Sequence, residues 1–266
     1  MPQPRILVLR APGANCDRET AFAFSRAGGM ADLVHVNRLL EQPALLRDYQ
    51  IFCVPGGFTY GDDIASGRIL GNQIEHHLSA ELHEFKQAGK LILGICNGFQ
   101  VLIKCGLLLD SDPRQGPPAT LDWNASGKFE DRWVYLRPFS DRCIFLRGIE
   151  SMYLPVAHGE GRFVTRSPQI LDALDRNGHL VLRYSNRPNG EMGNGANSAD
   201  VAYPANPNGS SANVAGICDT TGRVFGLMPH PERHIDRTHH PRWTRGEGRD
   251  PGDGLHVFTN AVAYFS

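Results

Sequence analysis

A cysteine stands between two glycines at the point where an apolar segment gives way to a helical pattern. Gly94–Gln100 reads GICNGFQ and follows the apolar run KLIL. Glycines on both sides remove the Cβ atoms that would block a sharp turn from strand to helix. The thiol of Cys96 would then lie at a helix N-terminus, where the dipole favours the thiolate. The pattern predicts a cysteine nucleophile; the alternative is an unreactive cysteine in the core.

A thiolate nucleophile needs a base, and one of the eleven histidines has a distinctive setting. His230 lies between two prolines in MPHPE, and each proline restricts the backbone beside it. If the backbone stays extended, Glu232 points the same way as His230 and could accept the Nδ1–H of the imidazole. We predict that this pair completes a triad with Cys96; the alternative is a surface histidine beside a surface glutamate.

Two glycines end another apolar segment, in VPGGF at residues 54–58. Glycine at the carboxyl end of a strand lets a backbone N–H point into the cleft where ligands bind in open sheets. The N–H groups of Gly57 and Asn97 would together form an oxyanion hole. The same Pro-Gly-Gly sequence is also an ordinary turn, and both interpretations remain open on the local pattern.

Strands and helices must bring these groups together. The first half alternates between them, with strands predicted at 5–9, 32–36, 51–54 and 90–95 and helices at 17–27 and 66–88. The second half predicts strands at 132–137, 152–157, 180–184, 213–218 and 224–228, a final helix at 255–265, and loops at 112–126 and 186–211. We expect an α/β fold, as one three-layer domain over 1–266. Its central, mainly parallel sheet is flanked by helices, with a smaller antiparallel strand region in the second half.

Composition excludes several classes of protein. The 266 residues carry 27 Lys and Arg against 28 Asp and Glu, a net charge of −1, which argues against a nucleic-acid-binding protein. No apolar stretch is long enough to cross a membrane, and the start has too short an apolar run for a signal peptide. We therefore expect a soluble, cytoplasmic protein. The spacing of the six cysteines suggests no structural zinc site, and histidines 158, 230 and 234 lack the neighbours of one, so we predict no bound metal.

Taken together, the Pro-Gly-Gly, GICNGFQ and MPHPE segments resemble the triad-type (class I) glutamine amidotransferases. Further stretches resemble one branch of that family, the glutaminases of phosphoribosylformylglycinamidine synthases in purine biosynthesis. These stretches are APGANCDRET (11–20), PGGFTYGDDIASGRILG (55–71), PVAHGEGRF (155–163), YPANPNGSSANVAGI (203–217) and GLMPHPER (226–233). The resemblance runs from about residue 5 to residue 265.

The resemblance implies that Cys96 attacks the side-chain amide of L-glutamine while His230 moves protons and Glu232 orients it. Gln100 corresponds to a glutamine-binding position of the family, and Phe58 is a further candidate for substrate contact. His158 and Glu160 are candidates for contact with the substrate or a partner. A stretch at 234–254 is extra relative to the shortest family members, and we favour a role for it near the active site or a partner.

The sequence contains no phosphate-binding glycine loop of either common type, so no cofactor is expected on this chain. The resemblance implies a separate synthetase subunit, which binds ATP and Mg and converts formylglycinamide ribonucleotide to formylglycinamidine ribonucleotide. A small accessory subunit joins in the short-form systems. Two alternatives stay open: another triad cysteine hydrolase, such as a γ-glutamyl hydrolase, and a non-catalytic partner subunit of the same fold.

Overall fold

The computed structural model describes residues 3–112, 114–186 and 201–266. Its first half alternates strands with helices, as predicted. The strands are β1 (Arg5–Arg10), β2 (Met30–His35), β3 (Ile51–Val54) and β4 (Leu91–Ile95), and the helices are α1 (Asp17–Arg26), α2 (Val36–Glu41), α3 (Arg68–His77), α4 (Ser79–Gln87) and α5 (Asn97–Lys104).

The second half is mostly strands. They are β5 (Ala119–Trp123), β6 (Glu130–Pro138), β7 (Met152–His158), β8 (Glu160–Thr165), β9 (Leu182–Ser185), β10 (Val214–Cys218) and β11 (Val224–Leu227), joined by the helices α6 (Pro168–Arg176) and α7 (Leu255–Ala263). None of the helices in the described part of the chain is long and apolar enough to span a membrane.

One nine-stranded sheet contains strands from both halves, in the order β2-β1-β3-β4-β11-β10-β9-β6-β7. Pairing is parallel from β2 to β11 and antiparallel from β11 to β7. This confirms the predicted α/β class, although most of the antiparallel strands extend the main sheet. Among the described residues, β5 and β8 form a separate two-stranded ribbon.

The strands at the centre of the sheet are fully buried. Every residue of β3 and β4 is buried, and the apolar face of α5 packs on both strands. Strands that are apolar throughout suit a parallel sheet covered on both faces, because neither face meets water. The carboxyl ends of β3, β4 and β11 therefore lie side by side on a rigid support.

Some elements differ from the predictions. The single helix expected over 66–88 is two helices, because Leu78 takes a non-helical backbone conformation with φ −130° and ψ 5°. The loop expected at 112–126 contains β5, whose pairing with β8 is too distant in sequence for its composition to reveal. Most of the loop predicted at 186–211 lies outside the described residues.

Candidate active site

Cys96 occupies the sharp turn between β4 and α5 that the sequence predicts. Its backbone has φ 51° and ψ −107°, a conformation that residues with a side chain rarely adopt. After the turn, the backbone of Gly98 packs closely against β3, since a Cβ on Gly98 would lie 1.9 Å from the carbonyl oxygen of Val54. Only glycine fits there. The turn holds the thiol at the N-cap, the residue just before the helix, in the strained position of a nucleophile elbow.

His230 and Glu232 follow β11, the strand that pairs with β4. Nδ1 of His230 lies 2.6 Å from Oε1 of Glu232, and both side chains are buried. The backbone route differs from the expected one, because residues 231–233 form a short 3-10 turn and not an extended segment. The N–H of His230 donates to the carbonyl of Pro155 at 2.9 Å. This bond anchors the base to β7, the strand at one edge of the sheet.

The charge around His230 favours its protonated form. Burial lowers the pKa of His230, but the negative charges of Glu232 and of a Cys96 thiolate outweigh it, and the net pKa is well above the ordinary value. Nε2 has no hydrogen-bond partner among the described residues. The Cys96 thiol donates instead to the carbonyl of Ala157, over 3.8 Å. This arrangement leaves Nε2 available to exchange a proton with the substrate.

The predicted oxyanion donor, the N–H of Gly57, is oriented by a hydrogen bond from the loop before α1. The carbonyl of Gly56 accepts a hydrogen bond from the N–H of Cys16 at 3.2 Å. Because a trans peptide points its C=O and N–H in opposite directions, this bond aims the Gly57 N–H away from Cys16. Gly57 has φ 142°, and a Cβ there would lie 2.5 Å from the carbonyl oxygen of Gly13. The second proposed donor, the N–H of Asn97, begins α5 and has no acceptor within the helix.

Three other side chains form hydrogen bonds with the side chain of Asn97. Its Oδ1 accepts from the hydroxyl of Thr59 at 2.6 Å, and its Nδ2 donates to Asp62 at 3.1 Å. The same Nδ2 donates to Oε1 of Gln100, whose Nε2 donates to the carbonyl of Glu160 at 2.6 Å. Burial raises the pKa of Asp62. Gln100 and Glu160 are thus brought together, but the Gln100 amide is already bonded within the protein, and its contact with substrate stays a prediction.

His158 and Phe58, the other two candidates, have contrasting environments. His158 is buried at the end of β7, and its Nδ1 lies 3.0 Å from Oδ1 of Asn124. Phe58 is 44% exposed and lies near Phe129, with 6.3 Å between ring centroids. Phe58 therefore belongs to the rim next to Gly57, and His158 belongs to the interior.

Cys16 is a site residue that sequence reasoning missed. Its thiol accepts a hydrogen bond from Arg233 at 3.1 Å, and Arg233 also binds Glu19 at 2.9 Å. Burial raises the pKa of Cys16, which keeps it a neutral thiol beside the ring of His230. The available signal was the APGANCDRET stretch, which belongs to the resemblance. Asp62 lies in another such stretch, whereas Asn124 had no signal because it falls in a predicted loop.

Three side chains of the described residues, Cys16, His230 and Glu232, bring possible metal-ligand atoms within 4.8 Å of one another. The group includes neither His158 nor His234. Within it, His230 and Glu232 already bind each other as a triad requires. The absence of a metal stays a prediction.

The extra stretch 234–254 packs against β7. Nδ1 of His234 lies 2.7 Å from the carbonyl of Tyr153, and Asp253 accepts from the N–H of the same residue at 2.8 Å. The ring of His240 lies 5.4 Å from the ring of Tyr153. The segment thus covers the strand whose carbonyl anchors His230, which agrees with the favoured packing role near the active site.

A thiol at a strand-to-helix turn, facing a buried histidine–glutamate pair from the neighbouring strand, is the arrangement of a cysteine-dependent amidotransferase. Residues 3–265 match the model of the CobB/CobQ-like glutamine amidotransferase domain, and the chain belongs to this family.

More specific similarities point to one kind of subunit. The chain is 45% identical to the phosphoribosylformylglycinamidine synthase subunit PurQ of Dehalococcoides mccartyi, over 99% of this chain and 98% of that protein. It is 41% identical to the subunit of the same name from Methanococcus maripaludis, over 99% and 98% of the two chains. In the solved structure of PurLQS from Thermotoga maritima, one chain matches with a TM-score of 0.73 and 31% identity, over the full length of both.

Proposed function

We propose that this chain is the glutaminase of a phosphoribosylformylglycinamidine synthase, hydrolysing L-glutamine to glutamate and ammonia. The observation that carries the proposal is the buried His230–Glu232 pair, held beside Cys96 by adjacent parallel strands. The relatives named above, similar along the whole chain, support the choice of synthase.

The first half-reaction forms a thioester. The Cys96 thiolate attacks the side-chain amide carbon of glutamine, and the N–H groups of Gly57 and Asn97 stabilise the negative oxygen that develops. The imidazolium of His230 gives its Nε2 proton to the amide nitrogen, the C–N bond breaks, and ammonia leaves. Glu232 stabilises the imidazolium and fixes its orientation throughout.

The second half-reaction regenerates the thiolate. Neutral His230 takes a proton from a water molecule as the water attacks the thioester carbon, and the same two N–H groups hold the oxygen. The C–S bond breaks and glutamate leaves. In this scheme Cys16 stays a neutral thiol beside the imidazole ring.

Ammonia passes to a separate synthetase subunit, which uses ATP and Mg to convert formylglycinamide ribonucleotide to formylglycinamidine ribonucleotide. A small accessory subunit completes the assembly, and we place the complex in the cytoplasm. Phe58, exposed at the rim beside Gly57, is available for contact with substrate or with this partner.

Reconstitution with the synthetase tests the proposal. Cys96→Ala should abolish synthesis from glutamine and leave synthesis from added ammonium salts unchanged, because only the ammonia supply is lost. Cys105→Ala, a buried thiol on the far end of α5, is the matched control and should keep both activities. Glutamine-dependent synthesis by the Cys96→Ala complex would refute the assignment. Cleavage of γ-glutamyl peptides in preference to glutamine would favour the hydrolase alternative.

A further inference from the structure

The tautomer of His158 is fixed by its neighbour Asn124. Nδ2 of Asn124 donates to two backbone carbonyls, those of Lys128 and His158, each at 2.8 Å. Carbonyls only accept, so the amide cannot be turned around, and its Oδ1 faces Nδ1 of His158 at 3.0 Å. Nδ1 must therefore carry the proton, and Nε2 of His158 carries a lone pair.

That lone pair has no hydrogen-bond donor among the described residues, although Nε2 of His158 is buried. A buried acceptor without a donor is uncommon in folded proteins and often marks a place for a ligand or a water. Burial, reinforced by the positive charge of nearby His230, lowers the pKa of His158 to about 3. The ring is thus neutral at physiological pH and remains an acceptor at Nε2.

The orientation of the ring is also fixed. A Cβ on Gly161 would lie 2.6 Å from the His158 ring, so the backbone of Gly161 lies close to the ring. The carbonyl of Gly161 is held by Asn208 at 2.8 Å, and the same Asn208 amide binds the hydroxyl of Tyr184 at 3.1 Å. The ring cannot turn away from its present direction without displacing this group.

His158 follows the residue whose backbone contacts the reacting sulfur. That residue, Ala157, supplies the carbonyl to which the Cys96 thiol donates over 3.8 Å. Burial and then the positive charge of His230 lower the pKa of His158, and burial and a negative charge on Cys96 raise the pKa of Tyr184. The free acceptor of His158 thus belongs to the same buried region as the nucleophile and the base.

We propose that Nε2 of His158 accepts an N–H of the glutamine amide and then of the ammonia released from it. This inference rests on the proposed function, since it assigns the group that receives the nitrogen. After His230 has protonated the leaving nitrogen, ammonia has three N–H donors and one lone pair. His158 has no proton on Nε2 to give, so ammonia is held by a donated hydrogen bond and is not converted to ammonium. Its lone pair stays available for attack in the synthetase.

Two substitutions distinguish a hydrogen bond at Nε2 from simple packing, because each retains a polar atom near only one of the two ring nitrogens. The amide of His158→Gln can place an acceptor near the position of Nε2. The shorter amide of His158→Asn can keep the contact with Asn124, but it cannot place an acceptor near the position of Nε2. We expect His158→Gln to preserve function and His158→Asn to lose it. His158→Phe, which has no polar atom, should behave like His158→Asn.

The experiment uses the complex with the synthetase, glutamine labelled with ¹⁵N in its side-chain amide, and unlabelled ammonium in the medium. Two quantities are measured: glutamate release, and the fraction of product nitrogen that carries ¹⁵N. For Asn and Phe we expect glutamate release to fall about tenfold, the effect of one lost hydrogen bond, and the ¹⁵N fraction to drop. Gln should stay close to wild type in both.

Equal losses in all three variants, or wild-type behaviour of Asn, would overturn the proposal, because packing or the Asn124 contact would then explain His158. If Phe fails to fold, the Gln and Asn pair still decides. The proposed function is judged separately on the wild-type complex: no ¹⁵N in its product would refute that function, whatever the variants do.

Discussion

Nδ1 of His230 and Oε1 of Glu232 lie 2.6 Å apart, although the single residue between them, Pro231, begins a 3-10 turn. The turn shortens the path between the two residues and brings their side chains together in the core. A buried carboxylate with only this one partner among the described residues stabilises a positive imidazole strongly.

Glu232→Gln should therefore impair catalysis much more than folding. The amide no longer stabilises the imidazolium and allows the wrong tautomer. In a serine triad the equivalent change costs about 10⁴-fold in kcat, and we expect a smaller loss here because a thiolate is the stronger nucleophile. Glutaminase assays on this variant and on Glu247→Gln, which removes a surface ion pair with Arg242, provide the test. Near-normal turnover of Glu232→Gln would make Glu232 a structural residue.

The lowered pKa of His158 predicts how stability depends on pH. Below about pH 6.5 the unfolded chain protonates this histidine, whereas the folded chain does not until about pH 3. The unfolded state then binds more protons, so His158 should reduce the free energy of unfolding by up to about 1.4 kcal/mol per pH unit as pH falls through this range. Urea unfolding of wild type and His158→Gln from pH 7 to pH 4.5 should show a shallower dependence for the variant. Parallel curves would mean that His158 protonates normally when folded.

A glutamine analogue with a reactive carbon in place of the amide should label Cys96 alone. Of the other five thiols, Cys16 also lies at the N-terminus of an α-helix, before α1, but burial raises its pKa. Burial raises the pKa of Cys53 and Cys143 well above the ordinary value, and that of Cys105 to about 12. One equivalent of reagent and peptide mapping check this prediction. A label found mainly on Cys16, the other thiol close to the base, would exchange the roles of the two cysteines.

Gly98→Ala should destabilise the fold. The new Cβ would lie 1.9 Å from the backbone oxygen of Val54, and backbone atoms of a central strand cannot move aside cheaply. Overpacking of this kind costs about 1–3 kcal/mol or more. Gly159→Ala is the matched control, because its Cβ would meet nothing closer than 3.8 Å. Chemical unfolding of both variants gives the answer, and equal midpoints would show that the turn can relax.

The isolated chain should hydrolyse glutamine slowly, and the synthetase with its ligands bound should accelerate it. The Gly57 N–H is aimed by a single bond from Cys16 to Gly56 at 3.2 Å, the long end of the normal range. A peptide held this lightly can turn, and one misplaced donor costs roughly 100-fold or more. Steady-state glutamate production with and without the partner measures the effect. Equal rates would mean that the hole is already formed in the free chain.

The turn at Cys96, the pairing of His230 with Glu232 and the class of fold could be predicted because each depends on local sequence. Glycines around Cys96 and prolines around His230 restrict the backbone wherever they occur. The alternation of strands and helices likewise predicted the parallel half of the sheet. The observed bounds of β3 match the predicted ones.

The features that could not be predicted depend on contacts between distant segments. The strand β5 forms only because β8 pairs with it, forty residues further on. The tautomer of His158 depends on Asn124 in the same way, and the setting of Cys16 depends on Arg233. The break at Leu78 has no glycine or proline to mark it, and its apolar spacing continues the helical pattern on both sides.

The pairing of β4 with β11 has a consequence for biosynthesis of the chain. The nucleophile follows the earlier of these strands, but its base follows the later one, more than 120 residues downstream. Until β11 has been synthesised, one edge of the fully apolar β4 has no neighbour, and such an edge readily pairs with other chains. A nascent or truncated chain thus has a reactive cysteine but neither its base nor its covering strand. Glutamine hydrolysis can begin only after the ribosome has translated β11 and Glu232.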